Sequence, residues 1–306
     1  MADPVLAIKV DVDTERGTRI GVPNLLRLFD ELGVRVTFLF SLGPDNTGRA
    51  IRRIFRPGFF GKVARTNVVS TYGWKTLLNG VLWPGPHIGR RHAGLMRTVR
   101  EAGHEVGIHC YDHVRWQDGL ASMTSSQVAE EFGRARTEFE RIFGVPAHTA
   151  GAAGWQANRF SLAAYDAAGL DYASDTRGTS PFFPSADGTV YRTLQIPTTL
   201  PTLDELQGRP EYPDAQLVER YLSWMRTGDL QVYTAHAEIE GMRQMDLFRD
   251  LLLRVREHGR SATILGNIAR VCLARRDTIP VCPMIAGEID GRSGTLALQG
   301  GVVAKA

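Results

Sequence analysis

A chain of 306 residues, 43% hydrophobic and 23% charged, has the composition of an ordinary globular protein and the length of one large domain or two small ones. No uninterrupted apolar run reaches the length of a bilayer span, and three dispersed cysteines, Cys110, Cys272 and Cys282, exclude a disulfide framework. The formal net charge of +3 hides an asymmetry: residues 46–100 hold eleven basic side chains and no acidic one, so the remainder of the chain is net acidic.

Residues 5–10 read as an apolar strand running into Asp11 and Asp13. The N-terminus enters this strand directly and shows no secretory-signal pattern, so the cytosol is the expected compartment. Gly21-Val22-Pro23 opens a helix with Leu25, Leu26, Leu28, Phe29 and Leu32 on its apolar stripe, stopped by Gly33. A strand over 34–40 follows. From Gly43 to Gly89 the regular βα rhythm is lost, and this insert mixes basic residues with bulky apolar ones. The rhythm returns with a helix over 91–102, a strand ending at His109, and a helix from the Thr124-Ser125-Ser126 cap to Phe143. Next come a weak strand of small residues over 148–153, a helix over 159–168, a strand ending at Asp175, and another over 190–196. A helix over 215–225, a strand ending at His236, a helix over 244–258 and a strand over 261–263 complete the pattern. Residues 1–276 thus read as one domain carrying the insert 43–89, and 277–306 as a Gly- and Pro-rich tail with little periodicity.

Strands alternating with helices imply a mainly parallel sheet covered by helices; in a barrel of that kind the C-terminal strand ends share one face. Asp11, Asp13, His109, His113, Asp175 and His236 all fall at or just after such ends. His109 and His113 are spaced i, i+4, so a single helical turn would put both imidazoles on one face. One carboxylate and two neutral imidazoles make a three-ligand set that leaves positions free for water and substrate. The other carboxylate then becomes a proton acceptor beside the metal, as in a mononuclear metal hydrolase. Taken singly, a DxD is as often a cap or turn, an HxxxH is common, and a lone histidine is more often a core residue. Their shared placement on one face outweighs those readings. The same ligands also describe the facial triad of iron(II) oxygenases, but those sit on antiparallel β folds.

Asp11-Val12-Asp13, the HxxxH at 109–113, a strand-end Asp175 and a late strand-end His236 together resemble the NodB-type polysaccharide deacetylase family, whose members remove acyl groups from amino sugars with a metal. The likeness runs from Val5 to about Leu265. Gly43-Pro44-Asp45-Asn46, Tyr72-Gly73-Trp74, Trp83-Pro84-Gly85, Ala152-Ala153-Gly154-Trp155, Ser174-Asp175-Thr176-Arg177-Gly178-Thr179 and His236-Ala237-Glu238-Ile239-Glu240-Gly241 narrow it to one branch. That branch deformylates 4-deoxy-4-formamido-L-arabinose on undecaprenyl phosphate, in the lipid A modification that gives resistance to polymyxin and cationic antimicrobial peptides. The resemblance implies a distorted (β/α)7 barrel with an inserted basic, aromatic-rich segment. It implies one divalent ion on Asp13, His109 and His113, with Asp11 as general base and His236 as general acid. Manganese or cobalt is favoured, with zinc, iron or nickel left open. Asp175, Arg177, Trp155 and Glu238 are expected to bind substrate or support the site. Many relatives carry an Arg that orients the catalytic Asp, where this chain reads Gly151-Ala152-Ala153-Gly154-Trp155; either Arg177 takes that part or the site is tuned differently. Asp175 is expected either to hold His236 protonated and oriented or to cap a helix.

Arg49, Arg52, Arg53, Arg56, Lys62 and Arg65, with their apolar neighbours, suit a segment lying on an anionic inner-membrane leaflet, some of the arginines pairing with the substrate phosphodiester. The plainer alternative is a barrel excursion with core aromatics and solvated cations. The expected partners are therefore the undecaprenyl-phosphate-linked sugar and the anionic lipid surface, not nucleic acid, with the protein peripheral on the cytoplasmic side of the bacterial inner membrane. A generic peptidoglycan or chitooligosaccharide N-deacetylase is the alternative activity, and a membrane-binding module with a decayed site the non-enzymatic one.

Overall fold

The first strand, β1 (Val5–Val12), carries apolar residues on both faces, interrupted by Lys9 and Asp11, and such a strand has to be covered on both sides. The structure is a computed structural model describing residues 5–50, 79–81, 83–225 and 230–302. The other strands follow as β2 (Thr37–Ser41), β3 (Glu105–Cys110), β4 (Thr149–Ala150), β5 (Tyr172–Ala173), β6 (Phe183–Ala186), β7 (Thr189–Val190), β8 (Leu194–Gln195), β9 (Leu230–His236), β10 (Ser261–Thr263), β11 (Val281–Gly287) and β12 (Leu296–Gln299). β1 is paired in parallel with β2 on one edge and β9 on the other, and β10 adds to its first residues.

The parallel strands run in the order β9-β1-β2-β3-β4-β5-β8 and curl into the distorted (β/α)7 barrel expected. Across the gap from β8 back to β9, the N–H groups of Thr199 and Leu200 both donate to Val232 O at 3.2 Å. Helices coat the outside. Ser125–Phe143 is the longest among the described residues, opened by a capping box between Thr124 and Gln127 and closed by Gly144 at φ 68°. It buries Val128, Phe132, Ala135, Phe139 and Ile142 along one stripe, each large apolar side chain contributing about 1.5–3 kcal/mol.

Two segments differ from expectation. The strand expected over 190–196 is divided: β7 pairs antiparallel with β6, whereas β8 joins the barrel. Between them Asp166 takes the backbone N–H groups of Arg192 and Thr193, removing those donors from any ladder. The segment beyond Asp277 is not structureless. β11 pairs in parallel with β6 and antiparallel with β12, giving a four-stranded sheet β12-β11-β6-β7. Arg177 links this sheet to the barrel: its N–H donates to Ala297 O, and Gln299 N–H donates to its carbonyl.

Arg52, Arg53, Arg56, Lys62 and Arg65 lie outside the described residues; Arg49, at the start of the insert, donates Nε to Gly80 O at 3.0 Å. Among the described residues no helix is long and apolar enough to cross a membrane.

His104 is packed between Phe29 and Phe38, with Nδ1 accepting the Val36 N–H at 3.2 Å. Burial lowers its pKa from 6.5 to about 4. The unfolded chain therefore takes up this proton first, and the stability it confers is full above the ordinary histidine range and lost as pH falls toward 4. Thermal melts at pH 7 and pH ~4.5 should show a larger loss of midpoint in the wild type than in His104→Gln.

Candidate active site

Because β1 is hydrogen-bonded on both edges, the register of its last residues is fixed. Asp11 stands opposite Leu39 of β2 and opposite His236 of β9, and its carbonyl accepts the Ala237 N–H at 3.0 Å. Asp13 lies one residue past the strand, where the ladder no longer dictates its direction. Glu238 fixes the turn instead: its Oε1 accepts from Asp13 N at 3.2 Å, Thr14 N at 2.9 Å and Thr14 Oγ1 at 2.7 Å. Burial, reinforced by the charge of Asp13, pushes the Glu238 carboxyl up to about 8.

His109 and His113 do not share a helical turn. His109 belongs to β3, and His113 opens the short helix His113–Gly119, capped by Asp112 Oδ1 accepting from Arg115 N at 3.0 Å. The strand-to-helix junction nevertheless brings both rings to one point. Their Nε2 atoms lie 3.2 Å and 3.4 Å from Asp13 Oδ1. His109 Nδ1–H donates to Gly151 O at 2.6 Å, so its neutral ring carries the lone pair on Nε2, facing the carboxylate. Burial pushes the Asp13 carboxyl up, but the two imidazoles outweigh it and hold the group well below its ordinary range. Burial likewise lowers His109, and Asp11 and Asp13 outweigh it to raise that ring.

A divalent cation fits this donor set. One ligand atom from each of Asp13, His109 and His113 lies within 4.8 Å of the others, and Asp13 Oδ1 is buried without accepting a hydrogen bond. An anionic oxygen and two imidazole nitrogens aimed at one another are the donors that a borderline metal takes.

Asp11 is the second acid of the site. Its Oδ2 accepts from Lys9 Nζ at 3.0 Å, while Oδ1 is buried and accepts no hydrogen bond. Arg177 does not take the orienting part open to it. Its Nη1 pairs with Glu205 Oε1 at 2.6 Å, its Nη2 donates to Leu200 O at 2.9 Å, and its guanidinium stacks 5.3 Å from the Trp155 ring. Asp175 neither holds His236 nor caps a helix. Its Oδ1 accepts from Ala152 N at 2.7 Å and its Oδ2 from Gln195 Nε2 at 2.8 Å, tying the 151–153 turn to β8. Full burial pushes its carboxyl up to about 6.

His236 presents its ring edge-on to Trp155, 6.3 Å between centroids, with Nδ1 buried and unbonded. Its backbone N–H donates to Glu240 Oε2 at 2.8 Å, and Glu240 Oε1 accepts from Tyr233 OH at 2.9 Å. Burial raises Glu240 to about 7. Trp155 itself sits in the left-handed region at φ 53°, its Nε1 donating to Thr198 Oγ1 at 3.2 Å and its ring lying 4.2 Å from the guanidinium of Arg292. Lys9, Glu240 and Arg292 are not among the site residues expected from the sequence. Lys9 had a signal, a cation two residues before Asp11 inside an apolar strand; Glu240 had its i+4 spacing from His236.

The family model for polysaccharide deacetylase matches residues 3–173. A Shewanella sediminis protein named "Probable 4-deoxy-4-formamido-L-arabinose-phosphoundecaprenol deformylase ArnD" is 35% identical over 302 residues, covering 98% of this chain and 96% of the relative. A Wigglesworthia glossinidia brevipalpis protein of the same name is 30% identical over 289 residues, covering 92% and 98%. Among solved structures, a Mycobacterium smegmatis protein described as a polysaccharide deacetylase superposes with a TM-score of 0.63 at 17% identity, covering 94% of this chain and 98% of that one. Puue allantoinase superposes at 0.59 and 15%, covering 88% and 90%. The chain belongs to the polysaccharide deacetylase family, and with it to the hydrolases of non-peptide carbon–nitrogen amide bonds.

Proposed function

We propose that this protein is a metal-dependent deformylase acting on 4-deoxy-4-formamido-L-arabinose linked to undecaprenyl phosphate, in the pathway that modifies lipid A. The observation that carries the reading is the Asp13–His109–His113 cluster beside Asp11 and His236 on adjacent strands. The names of the two relatives, which match nearly the whole chain, supply the substrate class.

Asp13, His109 and His113 would hold a divalent ion, which would supply Lewis acidity toward the formyl oxygen and toward water. Asp11 takes the proton of the attacking water on Oδ1, the oxygen left free by Lys9. The water oxygen adds to the formyl carbon and the carbon–nitrogen bond breaks. An amine leaves poorly unless protonated, and His236 delivers that proton to the sugar nitrogen. Formate and the 4-amino sugar are the products. Two imidazoles and a carboxylate admit manganese, cobalt, zinc, iron or nickel, and the reading favours manganese or cobalt. Trp155 stands beside His236, and the guanidiniums of Arg177 and Arg292 lie against its ring.

The substrate tail lies in lipid, so the protein works as a peripheral protein on the cytoplasmic leaflet. The excess of basic residues over 46–100 supports that placement, through attraction to anionic headgroups and to the phosphodiester.

Asp11→Asn and His236→Ala should each lower formate release from the undecaprenyl-phosphate formamido-sugar by about 10²–10⁴-fold with bound metal unchanged, read by mass spectrometry and metal analysis. Asp13→Ala and His113→Ala should instead lose the metal itself. If Asp11→Asn loses its metal, the division between ligand and base is wrong. Faster turnover of an acetamido sugar than of its formamido counterpart would replace this reading with the generic deacetylase.

A further inference from the structure

Lys9 lies within β1, its side chain fully buried. Burying an ammonium group is unfavourable unless each of its donors meets a partner. Lys9 Nζ donates to Asp11 Oδ2 at 3.0 Å and to Ser174 O at 3.3 Å, and it lies 5.3 Å from the centre of the Trp155 ring. Two acceptors and a π face account for its three protons. Residues i and i+2 of a strand share a face, so backbone geometry rather than side-chain reach sets the Lys9–Asp11 separation.

We propose that Lys9 is the positioning residue for Asp11. It holds Oδ2 and thereby leaves Oδ1 as the proton-accepting oxygen, the part that Arg177 does not take. The inference rests on the reading of Asp11 as general base. The surroundings are shaped for it: a Cβ on Gly151 would come within 3.6 Å of Nζ and would press on the Leu39 side chain and Ser174 O. The same Gly151 carbonyl anchors His109, so the lysine pocket and a ligand imidazole share one turn. Trp155 borders Lys9, held by Thr198 and stacked against Arg292 from the C-terminal segment.

Lys9→Met keeps an unbranched stem, one atom shorter, and removes the charge, and Lys9→Arg keeps the charge. With the metal-loaded enzyme and the undecaprenyl-phosphate formamido-sugar, Lys9→Met should lower kcat by about 100-fold or more while KM stays within about twofold and bound metal is unchanged. Lys9→Arg should recover a substantial part of kcat. A second readout is independent of turnover. Lys9→Met should melt below the wild type, and adding Asp11→Asn should raise its melting midpoint, because the stranded carboxylate is then neutral. The inference is overturned if Lys9→Met keeps kcat within about threefold of the wild type, acts through KM alone, or loses the metal. A wild-type enzyme that releases no formate from this sugar overturns the deformylase reading first, and the role of Lys9 with it.

Discussion

The site depends on one constraint: β1 is hydrogen-bonded on both edges, by β2 and by β9, through its last residues. A strand paired on both sides cannot slip, since a shift of one residue would send every side chain to the other face. Asp11 is therefore locked opposite His236, and Asp13 is released just where the ladder ends. The proposed acid, base and metal ligand thus come from a strand end and the residues around it, while β3 and the short helix after it deliver the imidazoles of His109 and His113 from two positions further along the sheet.

The same constraint concentrates buried charge. Lys9, Asp11, Asp13, Asp175, Glu238 and Glu240 are packed within the C-terminal mouth of the barrel, and each meets a polar partner from the protein. Desolvation raises Asp175, Glu238 and Glu240, whereas Asp13 is held down by two imidazoles. Carboxyls pushed in opposite directions side by side are a pattern that clusters at functional sites, and it accords with the proposed division between a cation ligand and proton-carrying acids. The apolar interior beneath, continuous from Leu6 through Phe139 to Phe248, offsets what these groups cost.

Much of this was legible in the sequence, because strand ends in a parallel barrel share a face and six polar residues fell at such ends. The alternation of strands and helices implied a parallel sheet covered by helices, and the family resemblance supplied the barrel and the choice of Asp13 as the acid beside the two histidines. What escaped has physical reasons. β4, β5 and β8 are two-residue strands, too short for any period to show. The histidines straddle a strand and a helix, so an i, i+4 spacing carried the right residues for a reason other than a helical turn. Asp175 looked like a partner for His236 because both end strands, yet Gln195 and the Ala152 N–H occupy its oxygens. Lys9 carried only the weak signal of a cation inside an apolar strand, because a lysine there reads as surface until both faces of the strand are seen to be covered. The C-terminal strands hid behind Gly and Pro, although they bring Arg292 against Trp155.

The central claim is convergence on a single cation, and diffraction at the absorption edge of the bound metal addresses it most directly. Crystals grown with manganese or cobalt should give one anomalous peak in contact with an Asp13 oxygen and the Nε2 atoms of His109 and His113. A peak elsewhere, or none at that cluster at full metal loading, would contradict the account.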